Sequence, residues 1–257
     1  MSAAVFVSTQ TMSELSMLNR YLDSLTTPID SNLEDVILSS ALYRIMIDDQ
    51  AAGLFAVNDS TRLTLFWLER PFLSYASDVF QQVCVEYRIE NILVSTSETL
   101  LLSLAMDYQK HVTSKGHCFA FLGETLERHP GDGLTLAEAV AADLPLIRQY
   151  SGHFFNQLES NVANHEIYLA RWVGELIGFG IIEHSRISRY FASVGMFVLE
   201  QHRGSGYGAK IVAELIRRNN INQLQTVACC RADNVASIHS LTSAGLASVS
   251  RLIQIDL

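Results

Sequence analysis

The sequence lacks the long apolar runs that membrane proteins need. A helix that crosses a bilayer takes about 20 consecutive apolar residues, and no run among the 257 residues reaches that length. The N-terminus, MSAAVFVSTQTMSEL, has neither the basic start nor the apolar core of a secretory signal. We therefore expect no membrane partner and a cytoplasmic location.

The sequence is also poor in cysteine. The four cysteines are Cys84, Cys118, Cys229 and Cys230, and their spacing is typical neither of a zinc site nor of a disulfide framework. Cys229 and Cys230 stand in the apolar run TVACC, where a reduced cysteine behaves as a small hydrophobic residue. The sequence thus predicts reduced thiols and no metal site.

Positive charge is scarce as well. The chain has 18 Lys and Arg against 27 Asp and Glu, which gives a net charge of −9. Because a nucleic-acid surface needs a basic patch, we expect no nucleic-acid partner. Hydrophobic residues make up 49% of the chain and charged residues 18%, which is a globular composition with enough length for one large domain or two small ones.

The most informative stretch is EQHRGSGYGAKIVAELIRRN, residues 200–219, which places Gly204, Gly206 and Gly208 before a helical pattern. The preceding ASVGMFVL, residues 192–199, is typical of a buried strand. Glycine lets the backbone approach a ligand closely, and the first amides of a helix favour an anion. We therefore predict a phosphate-binding turn, to which Arg203 could add positive charge.

Two well-known glycine motifs, the P-loop and the dinucleotide-binding pattern, fit this turn only in part. A P-loop needs Gly-Lys-Ser/Thr where Ala209-Lys210-Ile211 stands. The dinucleotide pattern G-x-G-x-x-A is present at Gly204, Gly206 and Ala209, but the acidic residue expected about 20 residues later is missing from LQTVACCR, residues 224–231. A tight turn alone would need one glycine.

A third pattern, Q-x-x-G-x-G, is filled by Gln201, Gly204 and Gly206. It resembles the pyrophosphate loop of the GNAT superfamily of N-acetyltransferases, and the resemblance extends over roughly residues 134–257. It implies acetyl-CoA as cosubstrate, with the backbone of the strand before the turn facing the pantetheine arm and the acetyl carbonyl. The site residues that it implies are Met196, Phe197, Val198, Arg203, Gly204, Ser205, Gly206, Tyr207, Gly208 and Asn234.

The resemblance also implies direct transfer to an amine in a ternary complex, without a covalent enzyme intermediate. Glu183 is the first candidate for the general base, with Glu166 and Tyr168 as alternatives, whereas His165 and His184 are interpreted as surface residues. Leu241 stands where many members of the family carry a tyrosine as general acid. The alternatives are a non-catalytic acyl-CoA sensor or binding module, which Leu241 favours, and a nucleotide-dependent oxidoreductase.

The run RHPGDGLT, residues 128–135, predicts a linker, so we divide the chain into domains 1–130 and 131–257. Both halves show the same order of predicted elements, which indicates tandem α+β modules, each a mixed, mostly antiparallel twisted sheet flanked by helices. In the first half LERPFLSYASD, residues 68–78, has no glycine and contains Pro71. We predict a degenerate GNAT-like module there and one active site per chain.

The acceptor and the assembly are open at this point. An amine-bearing small molecule or a peptide would serve as acceptor, and a homodimer is compatible with the sequence.

Overall fold

The computed structural model of the protein describes residues 4–123 and 132–257. Within these ranges the chain forms two compact units. Unit 1 holds residues 4–117 together with 250–257, and unit 2 holds residues 118–123 and 132–249. The domain boundary expected after residue 130 lies outside the described residues.

Unit 1 is an α+β unit built on a mixed sheet. Its helices are α1 (Thr11–Ser24), α2 (Ser31–Ser39), α3 (Ala76–Glu86) and α4 (Thr99–Met106), and a 3-10 turn at Arg70–Tyr75 precedes α3. Its strands are β1 (Val5–Thr9), β2 (Ala41–Ile47), β3 (Gln50–Asn58), β4 (Arg62–Leu68), β5 (Asn91–Ser95), the first part of β6 (His111–Ala120) and most of β12 (Ala247–Asp256).

The strands of unit 1 follow the order β1-β2-β3-β4-β5-β12-β6. Strands β1 to β4 pair antiparallel in sequence order, β4 pairs parallel with β5, and β12 returns antiparallel to β5. The end of the chain is therefore part of this unit, because Ile253 and Ile255 of β12 lie in its hydrophobic core.

Unit 2 repeats this plan. Its helices are α5 (Leu144–Ser151), α6 (Leu158–Ala163), α7 (Tyr207–Ile221) and α8 (Val235–Ser243). Its strands are β7 (Leu134–Glu138), β8 (Ile167–Trp172), β9 (Glu175–His184), β10 (Phe191–Val198), β11 (Gln225–Arg231) and the last residues of β6. Strands β7 to β10 pair antiparallel in sequence order, and β10 pairs parallel with β11.

Two hydrophobic clusters cover the faces of the sheet in unit 2. One packs the buried side of α7 against alternate residues of β10, and the other joins α5 and α6 to the opposite face. The helical spacing of Ile211, Val212, Leu215 and Ile216 predicts the buried side of α7, and all four are fully buried.

The predicted α+β class with a mostly antiparallel sheet is confirmed, but several elements differ from the sequence pattern. The helix expected over 97–110 ends at Met106, and the strand expected over 117–123 runs from His111 to Ala120. The first residues of β6, HVTSK, are mostly exposed, so they lack the apolar alternation by which a strand is recognised. The sequence pattern does not predict strands β1 and β7 or helix α2. Among the described residues, no helix combines the length and the apolar character that crossing a bilayer would take.

Candidate functional site

The glycine turn lies between β10 and α7, as the sequence predicts. Gly204 and Gly206 have φ angles of 78° and 79°, in the left-handed region that side chains avoid. Gly206 is the N-cap residue of α7 and supplies no side chain to its first amides. A methyl group added to Gly204 or Gly206 would meet nothing within 4 Å. The turn therefore borders open space, and the N-terminal amides of the 15-residue helix α7 lie at this turn.

Gly208 has a different environment from the other two glycines. It is buried in the first turn of α7, and a methyl group there would lie 2.8 Å from the Ser240 Oγ of α8. This glycine allows α7 and α8 to pack closely. Ser205 is exposed, whereas the Tyr207 ring turns back to Trp172, with the two ring centroids 5.7 Å apart.

The strand before the turn separates from its parallel neighbour. β10 and β11 pair only over Phe191–Ser193 and Gln225–Val227, although β10 continues to Val198 and β11 to Arg231. Met196, Phe197 and Val198, which the sequence predicts as coenzyme-binding residues, lie on the separated part of β10 and are half-buried. The structure thus places them beside an opening between two parallel strands that leads to the glycine turn.

The backbones of β9 and β10 approach closely next to the separated part of β10. Gly178 of β9 pairs with Val198, and any side chain at Gly178 would clash with the carbonyl oxygen of Phe197. The close approach of the two backbones therefore requires glycine at this position.

Arg203 lies at the same end of β10. Its Nε donates a hydrogen bond to the Val198 carbonyl oxygen at 3.2 Å, and its guanidinium carbon lies 5.8 Å from the centroid of the Phe197 ring. The side chain is exposed. Its positive charge is therefore held next to the glycine turn.

The second helix of the predicted site begins at Asn234. Its side chain accepts a hydrogen bond from the Ser237 N–H at 3.1 Å, so Asn234 is the N-cap residue of α8. Leu241, further along α8, is 2% exposed and belongs to the core of unit 2. Its apolar side chain cannot donate a proton.

Glu183, the predicted general base, is half-buried on β9 and pairs with Ser193. Ser193 is the last residue of β10 that pairs with β11, so Glu183 stands beside the start of the opening. Facing residues of antiparallel strands point to the same side of a sheet. Since Ala192 and Val194 pack on the α7 side, Glu183 and Ser193 point to the α5–α6 side.

Glu166 and Tyr168, the alternative bases, have partners that shift their pKa values. Glu166 accepts hydrogen bonds from Asn161 Nδ2 at 2.9 Å and from the His184 N–H at 3.2 Å. Burial alone would raise the pKa of Glu166, but the hydrogen bonds outweigh it and hold the pKa below its usual value. Burial raises the pKa of Tyr168, whose ring lies 4.7 Å from the Arg218 guanidinium carbon. His184 and His165 have exposed side chains, as predicted.

A cavity of about 180 Å³ lies at the other end of α7. It is lined by residues of its last turns, Arg218 and Asn219 among them, and by Glu138 and Tyr168 of the sheet. At 1.5 Å of rise per residue, the last turns of α7 are about 18 Å from the glycine turn. This cavity is therefore separate from the opening beside β10.

Comparison with known proteins decides the family. Residues 10–121 match the acetyltransferase (GNAT) domain model, and residues 137–245 match that of the acetyltransferase (GNAT) family. The chain belongs to the GNAT acetyltransferases. It carries two GNAT domains in tandem, one in each half, as the sequence predicts. No curated protein matches the chain in sequence.

Solved GNAT structures share the fold over the full length. A GNAT-family acetyltransferase from Colwellia psychrerythraea is 17% identical, with 98% of this chain and 99% of that chain covered and a TM-score of 0.86. A GCN5-related N-acetyltransferase from Sphaerobacter thermophilus is 13% identical, with coverage of 98% and 94% and a TM-score of 0.62. A tandem GNAT protein from the clavulanic acid biosynthesis pathway is 12% identical, with coverage of 99% and 98% and a TM-score of 0.60.

The GNAT domain of unit 1 has a similar strand separation and a similar close backbone contact at a glycine. β4 and β5 pair only at Arg62–Leu63 and Asn91–Ile92, and a side chain at Gly53 would clash with the Trp67 carbonyl oxygen. By this glycine contact Trp67 corresponds to Phe197, and Phe66 therefore corresponds to Met196. The segment after β4 is a 3-10 turn with Pro71 near its start and no glycine.

A buried carboxyl group faces the separated part of β4 in unit 1. Glu98, the N-cap residue of α4, is 4% exposed and accepts a hydrogen bond from the Tyr21 hydroxyl at 2.9 Å. Burial raises the pKa of Glu98 to about 8, although the Tyr21 hydroxyl and the Phe66 backbone stabilise the ionised form in part. In unit 1 the Glu98 side chain thus contacts the Phe66 backbone, which corresponds to the Met196 backbone in unit 2.

Sequence reasoning missed Glu98 and also Phe154. Phe154 lies between α5 and α6, is 50% exposed, and its ring centroid is 5.2 Å from that of Phe197. An acidic residue just before a helix is an ordinary cap in sequence, and a lone aromatic in a loop carries no pattern. Among the described residues, no group of three or more His, Cys, Asp or Glu side chains could hold a metal ion.

Proposed function

We propose that the protein transfers an acetyl group from acetyl-CoA to a primary amine, and that unit 2 carries the reaction. The observation that carries this proposal is the opening between β10 and β11, which leads to a turn at the start of α7 where Gly204 and Gly206 face open space. Membership of the GNAT acetyltransferases supports acetyl transfer in general. The coenzyme, the amine and the order of events are part of the proposal.

The turn suits a diphosphate. Its backbone amides at Gly204–Gly208 and the positive end of the α7 dipole favour two adjacent negative groups, and Arg203 adds a charge at the same end of β10. Gly204 and Gly206 leave the space above the backbone open. We propose that these residues hold the coenzyme and that Asn234 borders the site from the start of α8.

The separated strand suits the rest of the coenzyme. Met196, Phe197 and Val198 pair with β9 on one side but not with β11 on the other. Because a strand directs its backbone groups alternately to its two sides, we propose that the groups of this stretch that point away from β9 contact the pantetheine arm. When bound, acetyl-CoA supplies the thioester whose acetyl group is transferred. A backbone N–H on this strand would stabilise negative charge on the carbonyl oxygen.

The attacking amine has to lose a proton. We propose that Glu183 accepts it, directly or through water, since it stands beside the start of the opening on the α5–α6 side. Because Leu241 is buried and apolar, the proton that the departing coenzyme thiolate needs comes from solvent in this account. Both products then leave without a covalent bond to the protein.

The acceptor approaches from the α5–α6 side in this proposal. Phe154 and Phe197 form an aromatic surface there, with Phe154 half exposed. A flat apolar surface next to the reacting end of β10 fits an amine that carries an apolar or aromatic portion. We propose an amine-bearing small molecule or a peptide of this kind.

A second candidate function is an acyl-CoA sensor without turnover, which the buried Leu241 favours. The two functions differ in a direct assay. Release of free thiol from acetyl-CoA is measured across a panel of amines, and coenzyme affinity is measured in parallel. Turnover on any amine supports the transferase, whereas submicromolar binding without turnover on the whole panel supports the sensor.

The site itself is tested by Gly206→Trp, with Gly174→Trp as matched control. Gly174 has a φ angle of 87°, and a methyl group there also meets nothing within 4 Å, but it lies in the turn between β8 and β9. Both substitutions carry a similar backbone strain. We expect Gly206→Trp to lower acetyl-CoA affinity at least 100-fold and Gly174→Trp to leave it within about twofold. Equal affinities would contradict the proposed site.

A further inference from the structure

Two thiols meet inside unit 2. The Sγ atom of Cys118, near the end of β6, lies 2.7 Å from the Sγ atom of Cys229 on β11. Both residues are half-buried and neither forms a disulfide. Their sequence separation of 111 residues gives no hint of this contact, and the acetyl transfer proposed above uses neither thiol.

The strand register explains the contact. The Phe121 N–H donates a hydrogen bond to the Thr226 carbonyl oxygen at 2.9 Å. In an antiparallel pair, the residue three before Phe121 lies opposite the residue three after Thr226. These two residues are Cys118 and Cys229. Opposite residues of antiparallel strands have Cα atoms about 4.5–5.5 Å apart, and disulfides form between Cα atoms about 4.4–6.8 Å apart.

We propose that Cys118 and Cys229 form a reversible disulfide when the protein meets a peroxide. One thiolate attacks an oxygen of hydrogen peroxide, becomes a sulfenic acid and releases hydroxide, which takes up a proton to form water. The second thiol then attacks the sulfenic sulfur, forms the S–S bond and displaces a second water. Two thiols and one peroxide thus give one disulfide and two waters.

The other two cysteines, Cys84 and Cys230, have raised pKa values. Burial raises the pKa of Cys84 to about 11, and burial together with the nearby Cys118 raises the pKa of Cys230 to about 11. Because the thiolate is the reactive form, both remain protonated and unreactive near neutral pH. Cys230 packs against the core on the α7 side of the sheet. Cys84 and Cys230 therefore serve as internal controls.

The disulfide would constrain β11, which borders the opening in unit 2. Cys229 belongs to the part of β11 that follows its last pair with β10, Ser193–Val227. A disulfide ties this part of β11 to β6 and restricts the unfolded chain. Oxidation should therefore slow amide exchange over 228–231 and raise the unfolding temperature of unit 2. The proposal does not depend on the reaction proposed above, because it needs only two thiols and an oxidant.

The test uses the full chain, first reduced and then exposed to hydrogen peroxide. We expect the four thiols to fall to two, and peptide mapping without reductant to show one link between Cys118 and Cys229. Cys84→Ser and Cys230→Ser should form the same link, and dithiothreitol should restore all thiols. No loss of thiols, or a link that includes Cys230, would overturn the proposal.

A second readout does not rely on mapping. The oxidised protein should unfold at a temperature about 5 °C or more above that of the reduced protein, as a closed loop of this length predicts. Cys118→Ser and Cys229→Ser should each remove the difference between oxidised and reduced samples, while their reduced forms unfold as the reduced wild type does. A difference that survives in Cys229→Ser would contradict the assigned pair.

Discussion

The three glycines of the turn in unit 2 serve two physical purposes. Gly204 and Gly206 adopt left-handed backbone angles in open space, which is what an approaching ligand requires. Gly208 is instead a contact between α7 and α8, where Ser240 leaves no room for a side chain. The sequence shows three equivalent glycines, and only their φ angles and neighbours separate the roles.

The buried Glu98 of unit 1 leads to a pH prediction. Its pKa is about 8 in the folded protein and about 4.5 as a free group, so below pH 4.5 both states hold the proton. Between about pH 4.5 and 8 the unfolded chain releases the proton and the folded chain keeps it. The free energy of unfolding of unit 1 should therefore fall as pH rises, by up to about 1.4 kcal/mol per pH unit.

Glu98→Gln should remove this part of the pH dependence. The fluorescence of Trp67 on β4 reports unit 1 when Trp172 is changed to Phe, because these are the two tryptophans of the chain. Urea unfolding at pH 5, 6, 7 and 8 measures the slope. The control is Glu86→Gln, an exposed carboxylate of α3, which should keep the slope of the parent. Equal slopes in Glu98→Gln and its parent would contradict the account.

At the scale of elements, the separation of two parallel strands defines the site. β10 and β11 share three residue pairs and then diverge, and β4 and β5 share two. In unit 2 the opening leads to a glycine turn, whereas in unit 1 a buried carboxyl faces the same backbone position and Pro71 stands in the following turn. The difference between the units thus lies in a few side chains on a shared plan of strands.

The loop between α5 and α6 leads to a prediction about the acceptor. Phe154→Ala removes an aromatic contact of the order of 1 kcal/mol, so the KM for a productive amine should rise about fivefold. The KM for acetyl-CoA should change less than twofold. Tyr190→Ala is the control, since Tyr190 is 60% exposed and precedes the other end of β10. Steady-state kinetics with each substrate varied in turn measures both KM values. An equal rise in both would contradict the assignment of Phe154 to acceptor binding.

The sequence predicts the elements that carry strong periodicity and the turn that carries glycine. Helix α7 and strands β8 to β11 follow from apolar spacing, and the position of the glycine turn follows from its motif. The sequence cannot predict the strand separation, because the separation depends on where pairing between β10 and β11 stops. Val194 and Ala228, the first residues after the last pair, are of types that are common in paired strands. Glu98 and Phe154 gain their significance from tertiary neighbours that no local pattern reveals.

At the scale of the whole molecule, the chain does not divide into two consecutive units. The last eight residues belong to unit 1, because β12 pairs antiparallel with β5 and buries Ile253 and Ile255 in the core of unit 1. A division by linker composition cannot show this, since strand pairing is not visible in composition.

Deletion of residues 250–257 should therefore weaken unit 1. We expect amides of β3 and β4 to lose protection from hydrogen exchange by at least tenfold, because the core loses two buried isoleucines and β5 loses a partner strand. Amides of β8 and β9 in unit 2 should keep most of their protection. Deletion of residues 4–9, the edge strand β1, is the control and should affect β4 less. Greater loss in β8 and β9 than in β4 would contradict the division.

We propose that acetyl-CoA binds to the backbone of unit 2 and not to that of unit 1. The most direct measurement is amide hydrogen exchange of the full chain with and without acetyl-CoA. We predict slower exchange over residues 196–198 and 203–209, with no change over 66–75, the corresponding part of unit 1. Protection confined to 66–75, or no protection in either unit at saturating acetyl-CoA, would contradict the account.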